Sequence, residues 1–334
     1  MRFRDRSDNE EVLVASSPIP KRWPSTQPIY HYTTPQGLLG ILESHTIWAS
    51  EAAGLNDLDE VRNGWDEIER YLEQNDPGGD FGWVLHESVR AANDPSQSVF
   101  VACASSRPDD AGQWDRYASG GLGYALEFDT SVAFGVKARS AEPPDWADKF
   151  IAESSYLRTS WDYAIYGREE LHQHLDLMWT SISTRLKRAQ DDPTTAFHKD
   201  LRVDSFEAAK STLAWLSPYG FEHLAYRYKS SGFESEQEVR CTLRIRGAES
   251  AVSHRVSPYG ITGYVELSGL PNERQFDNIV WEDTDVYKNL RLPLQKVILG
   301  PKIDWRTGKT AVERLLRSTG YDNVEVTRSQ VNLR

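Results

Sequence analysis

The sequence predicts an α+β fold, because its helical and strand patterns are segregated instead of alternating. Amphipathic stripes of helical period occupy the early and middle chain, while short alternating apolar runs fill the last third. No internal repeat or low-complexity tract interrupts them.

Residues 1–27 mix both charge signs, show no apolar run followed by a cleavage site, and are expected to form an exposed arm. Ile29–Thr33 reads as a strand, and Thr34 then caps a helix with Pro35 at its first position and Leu38, Ile41 and Leu42 inside. Thr46–Ala49 returns as a strand. Asp57 and Glu60 make a capping box for a helix whose stripe is Val61, Trp65, Ile68 and Leu72, and Pro77-Gly78-Gly79 ends it. Ser98–Ala104 and Leu122–Asp129 are strand-like, joined by a polar stretch rich in turn formers that is expected to be a loop carrying function. Leu171, Leu175, Met178, Ile182 and Leu186 mark a helix from Tyr166 to about Gln190, and Asp204 with Glu207 caps another running to Leu216. Residues 141–217 therefore read as a mainly helical insertion in a single domain spanning 28–330. The last third is expected to hold strands at Phe221–Lys229, Val239–Ile245, Gly263–Leu267, Asn278–Trp281, Lys296–Leu299 and Asn323–Val326, and a helix near Thr310–Ser318 stopped by Gly320.

Charge and composition narrow the function. With 50 acidic and 38 basic residues among 334, the chain carries −12, which excludes coating duplex DNA or an anionic membrane by bulk charge. Its longest apolar runs fall far short of the ~20 residues that span a bilayer, so no membrane partner is expected. Cys103 and Cys241 each sit in an apolar strand without metal or redox spacing, which fits reduced core thiols and a cytoplasmic location. The charge is uneven: Glu51–Asp94 holds three basic and twelve acidic residues, expected as a solvated helical face, whereas Asp285–Arg334 holds ten basic and five acidic. No metal is expected, since His172 and His174 point apart on a helix. Gly308-Lys309-Thr310 lacks the first glycine of a phosphate loop, with Ile303 standing in its place.

Three clusters could carry chemistry. In Glu236-Gln237-Glu238-Val239-Arg240-Cys241, the alternation puts Val239 and Cys241 on one face and Glu236, Glu238 and Arg240 on the other, where arginine can hold a carboxylate ionised and oriented. The alternative is a solvated face with cross-strand ion pairs. His31 and Thr33 share one side of a strand end beside a capped helix, with Tyr32 on the other. Trp114, Tyr117 and Tyr124 offer rings that could stack on a planar group, and Gly123 would let a ligand approach the strand backbone. The alternative is an aromatic cover on the sheet.

The order Tyr30-His31-Tyr32-Thr33, Leu55-Asn56-Asp57, Gln113-Trp114 with Tyr117, Gly123-Tyr124, Glu236-x-Glu238-x-Arg240 and Val297-Ile298-Leu299-Gly300-Pro301 resembles the bacterial domain-of-unknown-function family 2971 over roughly residues 28–330. That family in turn resembles the ADP-ribosyltransferases of the His type, including DNA-modifying toxins. The resemblance implies a split two-sheet α+β core binding NAD in its cleft, without a metal. It implies that His31 bonds a ribose hydroxyl with Thr33 in support, and that Tyr117 or Tyr124 stacks on nicotinamide. Tyr32, Asn56, Trp114, Gly123 and Arg240 would complete the NAD site. Glu238 would stabilise the oxocarbenium-like transition state, and Glu236 would orient or deprotonate the acceptor. The expected function is a toxin or phage-defence effector modifying single-stranded nucleic acid or protein, with an antitoxin or regulatory partner. The alternatives are a non-catalytic nucleotide- or partner-binding module and an NAD glycohydrolase.

Overall fold

The structure is a computed structural model that describes residues 24, 26–52, 58–93, 98–132, 134–136, 161–195, 197, 203–245, 252–257, 260–269 and 291–333. Asn56 and Asp57, the expected strand Asn278–Trp281 and residues 141–160 of the expected insertion lie outside the described residues.

In chain order the elements are β1 (Ile29–Thr33), α1 (Pro35–Ser44), β2 (Ile47–Glu51), α2 (Leu58–Asn75), α3 (Gly79–Ala92), β3 (Ser98–Ser105), α4 (Ala111–Tyr117) and β4 (Tyr124–Phe128). There follow β5 (Phe134–Val136), β6 (Trp161–Tyr163), β7 (Ile165–Tyr166), α5 (Gly167–Asp191), α6 (Phe206–Leu216), α7 (Pro218–Ala225) and β8 (Tyr228–Lys229). The chain closes with β9 (Glu238–Ile245), β10 (Ser253–Ser257), β11 (Gly260–Gly269), β12 (Leu294–Leu299), α8 (Trp305–Ser318) and β13 (Glu325–Arg328). Helices and a large mixed sheet make this an α/β mixture, and two of the expected segments take another form. The polar stretch after β3 is not a loop, because Asp110 accepts from the amides of Gly112 and Gln113 and starts α4. The first part of Phe221–Lys229 is helix, with Pro218 preset at the N-terminus of α7 and only Tyr228–Lys229 extended.

The chain divides into two compact units. The helical unit is built from Asp57–Ser96 and Ile165–Gly232, and the sheet unit from Arg22–Asn56, Gln97–Ala164 and Phe233–Arg334. In the helical unit, Trp65, Ile68 and Leu72 of α2, Val84, Leu85 and Val89 of α3, and the α5 stripe close one apolar core. This is the burial that their helical spacing requires.

In the sheet unit the strands run β10-β11-β2-β3-β1-β4-β12-β13, with β9 and β6 continuing from β3. Strand β3 pairs with β9 along its length, from Ser98↔Ile245 to Ser105↔Glu238. Its other edge pairs with β2 at Val101 and with β1 at Ser105. Strands β2 and β1 therefore occupy successive stretches of one edge, and the sheet splits between them. On one face, Ile29, Phe100, Leu126, Val239, Cys241 and Val297 meet Leu38 and Leu42 of α1 and Val312 and Leu316 of α8. On the other, Tyr30, Tyr32, Ala125 and Ile298 meet Trp114 and Ala118.

Three backbones interlock at the ends of β1, α4 and β12. A Cβ on Gly123 would lie 2.2 Å from Thr33 O and 2.8 Å from Ala118 Cα, while one on Gly300 would lie 2.4 Å from Gly121 O. The close approach expected of a ligand at Gly123 is thus made by the protein's own chain. Gly123→Ala is expected to destabilise the fold by about 1–3 kcal/mol, since backbone on two sides cannot yield as a side chain can. Urea denaturation checks this; a midpoint unchanged from the parent would contradict it.

Candidate functional site

The site is built on α4 and the start of β9. In α4, Gln113, Arg116 and Tyr117 stand at i, i+3 and i+4, one face of one helix turn, and all three grip Glu236. Gln113 Nε2 donates to Glu236 O at 3.0 Å, joined by Ser105 Oγ at 2.9 Å. Arg116 Nη1 and the Tyr117 hydroxyl donate to Glu236 Oε1 at 2.9 and 3.1 Å. Glu236 is only 3% exposed, while Tyr117 keeps 42% of its surface in solvent.

Glu236 ends a 3-10 turn, Ser231–Glu236, and Gln237 adopts a left-handed φ of 46° before β9 begins. The alternation expected from Glu236 onward is therefore interrupted at Gln237. A non-glycine residue in that region costs of order 1 kcal/mol, and the Glu236 clamps and the bond from Ser106 N to Gln237 O hold it there. From Glu238 on, the alternation holds. Arg240 Nε donates to Glu238 Oε1 at 2.7 Å and Nη2 reaches Oε2 at 3.4 Å, with both side chains almost fully buried. Asp162 of β6, also buried, stands directly across from Arg240. Buried charges of this kind require pairing, and here two carboxylates two residues apart each have their own guanidinium.

The register decides which expected residues come together. Tyr30↔Ser105 and Ser105↔Glu238 form one row, so Tyr30 and Tyr32 share the face of Glu238 and Arg240. His31, Thr33 and Tyr124 fall on the opposite alternation, with Thr33 paired to Tyr124. Tyr32 is buried edge-on against Trp114, and its hydroxyl donates to Arg107 O while accepting from Asp110 N. Burial pushes this phenol well above the ordinary tyrosine range. Trp114 is 0% exposed and its Nε1 donates to Asp109, so it is a core anchor and not the stacking platform its type suggested. Tyr124 is half-buried against the α1–α8 core. Among the expected rings Tyr117 alone presents a largely exposed face beside a carboxylate.

His31 lies at the split in the sheet. Its Nδ1 bonds Cys103 O at 3.0 Å, between the stretches of β3 that pair with β2 and β1. A carbonyl only accepts, so Nδ1 carries the proton and Nε2 of the neutral ring presents a lone pair; it has no partner among the described residues. Burial holds this imidazole below its usual range, against the opposing bond to Cys103. The unfolded chain then takes up a proton near pH ~6.5 while the folded ring does not, so stability falls as pH drops below ~6.5 and is unaffected above it. His174 shifts in the same direction, chiefly by burial. His31→Asn is expected to flatten the pH 5–7 stability profile in urea titrations; an unchanged slope would contradict the assignment.

The sequence pattern does not mark Gln113 and Arg116 as clamps, because the seven-residue helix that aligns them is hidden among turn formers. It also marks the carboxylates of Glu51–Asp94 as solvated, yet Glu67 is 4% exposed. The His172–His174 divergence is present: His172 faces Glu67, while His174 senses Arg227, Glu170 and His223. No group of three or more metal-ligating side chains occurs among the described residues. No helix among them is long and apolar enough to cross a membrane.

No curated protein and no solved structure matches the chain. Residues 113–241 match the family described as "Protein of unknown function (DUF2971)", a segment that starts at the first clamp on Glu236 and ends one residue past Arg240.

Proposed function

We propose that the sheet unit is an NAD-consuming, ADP-ribosyltransferase-like centre in which Glu236 and Glu238 do the chemistry. The observation that carries this is the pair of buried carboxylates, two residues apart around a left-handed Gln237, each ion-paired with its own arginine. Burying two charges is costly, and an apolar pair would pack a sheet as well. In this reading the bond between nicotinamide nitrogen and ribose C1′ breaks and nicotinamide leaves with the bonding electrons. Glu238 stabilises the positive charge developing on the ribose, and an acceptor nucleophile that has given its proton to Glu236 bonds C1′. Tyr117 supplies the ring at the mouth, and the unshared lone pair of His31 at the sheet split accepts from a ribose hydroxyl. Single-stranded nucleic acid or protein would be the acceptor; water would make the enzyme a glycohydrolase.

A second reading, a non-catalytic nucleotide- or partner-binding module, is favoured by the register that puts His31 and Thr33 on the opposite alternation from Glu238 and Arg240. Thermal shift separates the two, because a ligand binding only the native state raises its apparent stability. The enzyme reading expects NAD to raise the melting temperature, with His31→Ala abolishing the shift. Stabilisation by ADP-ribose without any turnover of NAD would favour the module.

A further inference from the structure

In the helical unit, one buried carboxylate is shared by two guanidinium groups and an imidazole. Glu67 of α2 receives Arg70 on Oε2, and Arg168 Nε at 2.6 Å and His172 Nε2 at 3.0 Å on Oε1. Arg70 is one turn on along α2, whereas Arg168 and His172 stand at i and i+4 in the first turns of α5. Two helices therefore aim these groups at one point. The guanidinium side chains remain 44% and 61% exposed. Each engages Glu67 through a single nitrogen, and among the described residues no other acceptor takes their remaining N–H groups. Tyr71 packs edge-on against the His172 ring at 5.0 Å and orients it. Tyr228 of β8 is near enough to feel the charges of Glu67, Arg168 and Arg70.

We propose that Arg70 and Arg168, fixed from below by Glu67 and flanked by His172 and Tyr228, form a binding site for the phosphate of a small phosphorylated ligand. Glu67 acts as the positioning residue: it fixes one nitrogen of each guanidinium and leaves the others directed outward. Two planar donor forks sharing one carboxylate match a tetrahedral, doubly charged phosphate group better than a second carboxylate. The site is independent of the sheet unit's carboxylates.

Isothermal titration of the full chain with inorganic pyrophosphate, and separately with ADP, tests this. Pyrophosphate is expected to bind, Arg168→Ala and Arg70→Ala each to weaken it about tenfold or more, and Arg168→Lys to weaken it as well because the fork is lost. Glu238→Gln should leave it unchanged, so the result does not depend on the proposed transferase centre. Tighter binding of ADP assigns the phosphate to a nucleotide; equal or weaker binding assigns it to a free polyphosphate. No heat with either probe, or binding that none of the three arginine variants weakens while they keep the parent melting temperature, would overturn the proposal.

Discussion

Glu238→Gln is expected to lower nicotinamide release from NAD by about 10²–10³-fold, the scale on which a preorganised charge at a reacting centre contributes. Glutamine matches glutamate in shape and still accepts from Arg240 Nε, now 2.7 Å from the Glu238 carboxylate, so the strand start should keep its geometry. What is lost is the negative charge that would face the ribose in the transition state. Affinity for NAD should therefore change far less than turnover, because the charge acts mainly where positive charge develops. Glu236→Gln should differ: cleavage of NAD by water continues, while transfer to an acceptor falls by about 10²–10⁴-fold with loss of the general base. Equal loss of both activities in the two variants would contradict the division of roles. Rate assays with purified variants, each held well below its own melting temperature, provide the comparison.

The largest stability effect is expected at Arg240. Its side chain is 2% exposed and bridges both oxygens of Glu238, so Arg240→Ala leaves a carboxylate buried without its guanidinium. The expected cost is about 3–5 kcal/mol, read as a shift in the denaturation midpoint. Replacing Glu238 and Arg240 together by methionine removes both charges and fills a similar volume. That double variant should recover most of the lost stability, since a buried pair contributes little net over a well-packed apolar one. It should remain without NAD cleavage, which separates what the pair does for the fold from what it does for chemistry. A double variant as unstable as Arg240→Ala would show that the strand needs the ion pair itself.

Much of the sheet was legible because its signals are local. The alternation of Val239, Cys241 and Leu243 against Glu238 and Arg240 is a property of one segment, and the structure keeps it. So is the start of α1, where Thr34 Oγ1 accepts from Gly37 N. Short helices were not legible: α4 has seven residues and two buried side chains, Gln113 and Trp114, too few for a helical period to stand out from the turn formers around it. In α7, the aromatic content after Pro218 imitates a strand.

The site was half legible for a different reason. That Glu236, Glu238 and Arg240 form a unit follows from their spacing, but which residues share their face depends on pairings across the sheet. Tyr30, Ser105 and Glu238 come into one row only through two registers between distant segments. Those pairings put Tyr32 with the carboxylates and His31 on the other alternation, which no single segment encodes. Glu67 is the same case in the helical unit, because Arg168 and His172, about a hundred positions along the chain, turn an apparently solvated acid into a buried one.

The central claim is that the Glu236–Glu238 pair is an NAD-processing centre, and chromatographic measurement of nicotinamide released from NAD by the purified chain tests it most directly. Release by the parent protein, lost in a Glu238→Gln variant that still folds, is the expected result. A folded parent protein that neither binds NAD nor releases nicotinamide, with or without single-stranded nucleic acid or protein acceptors, would contradict it.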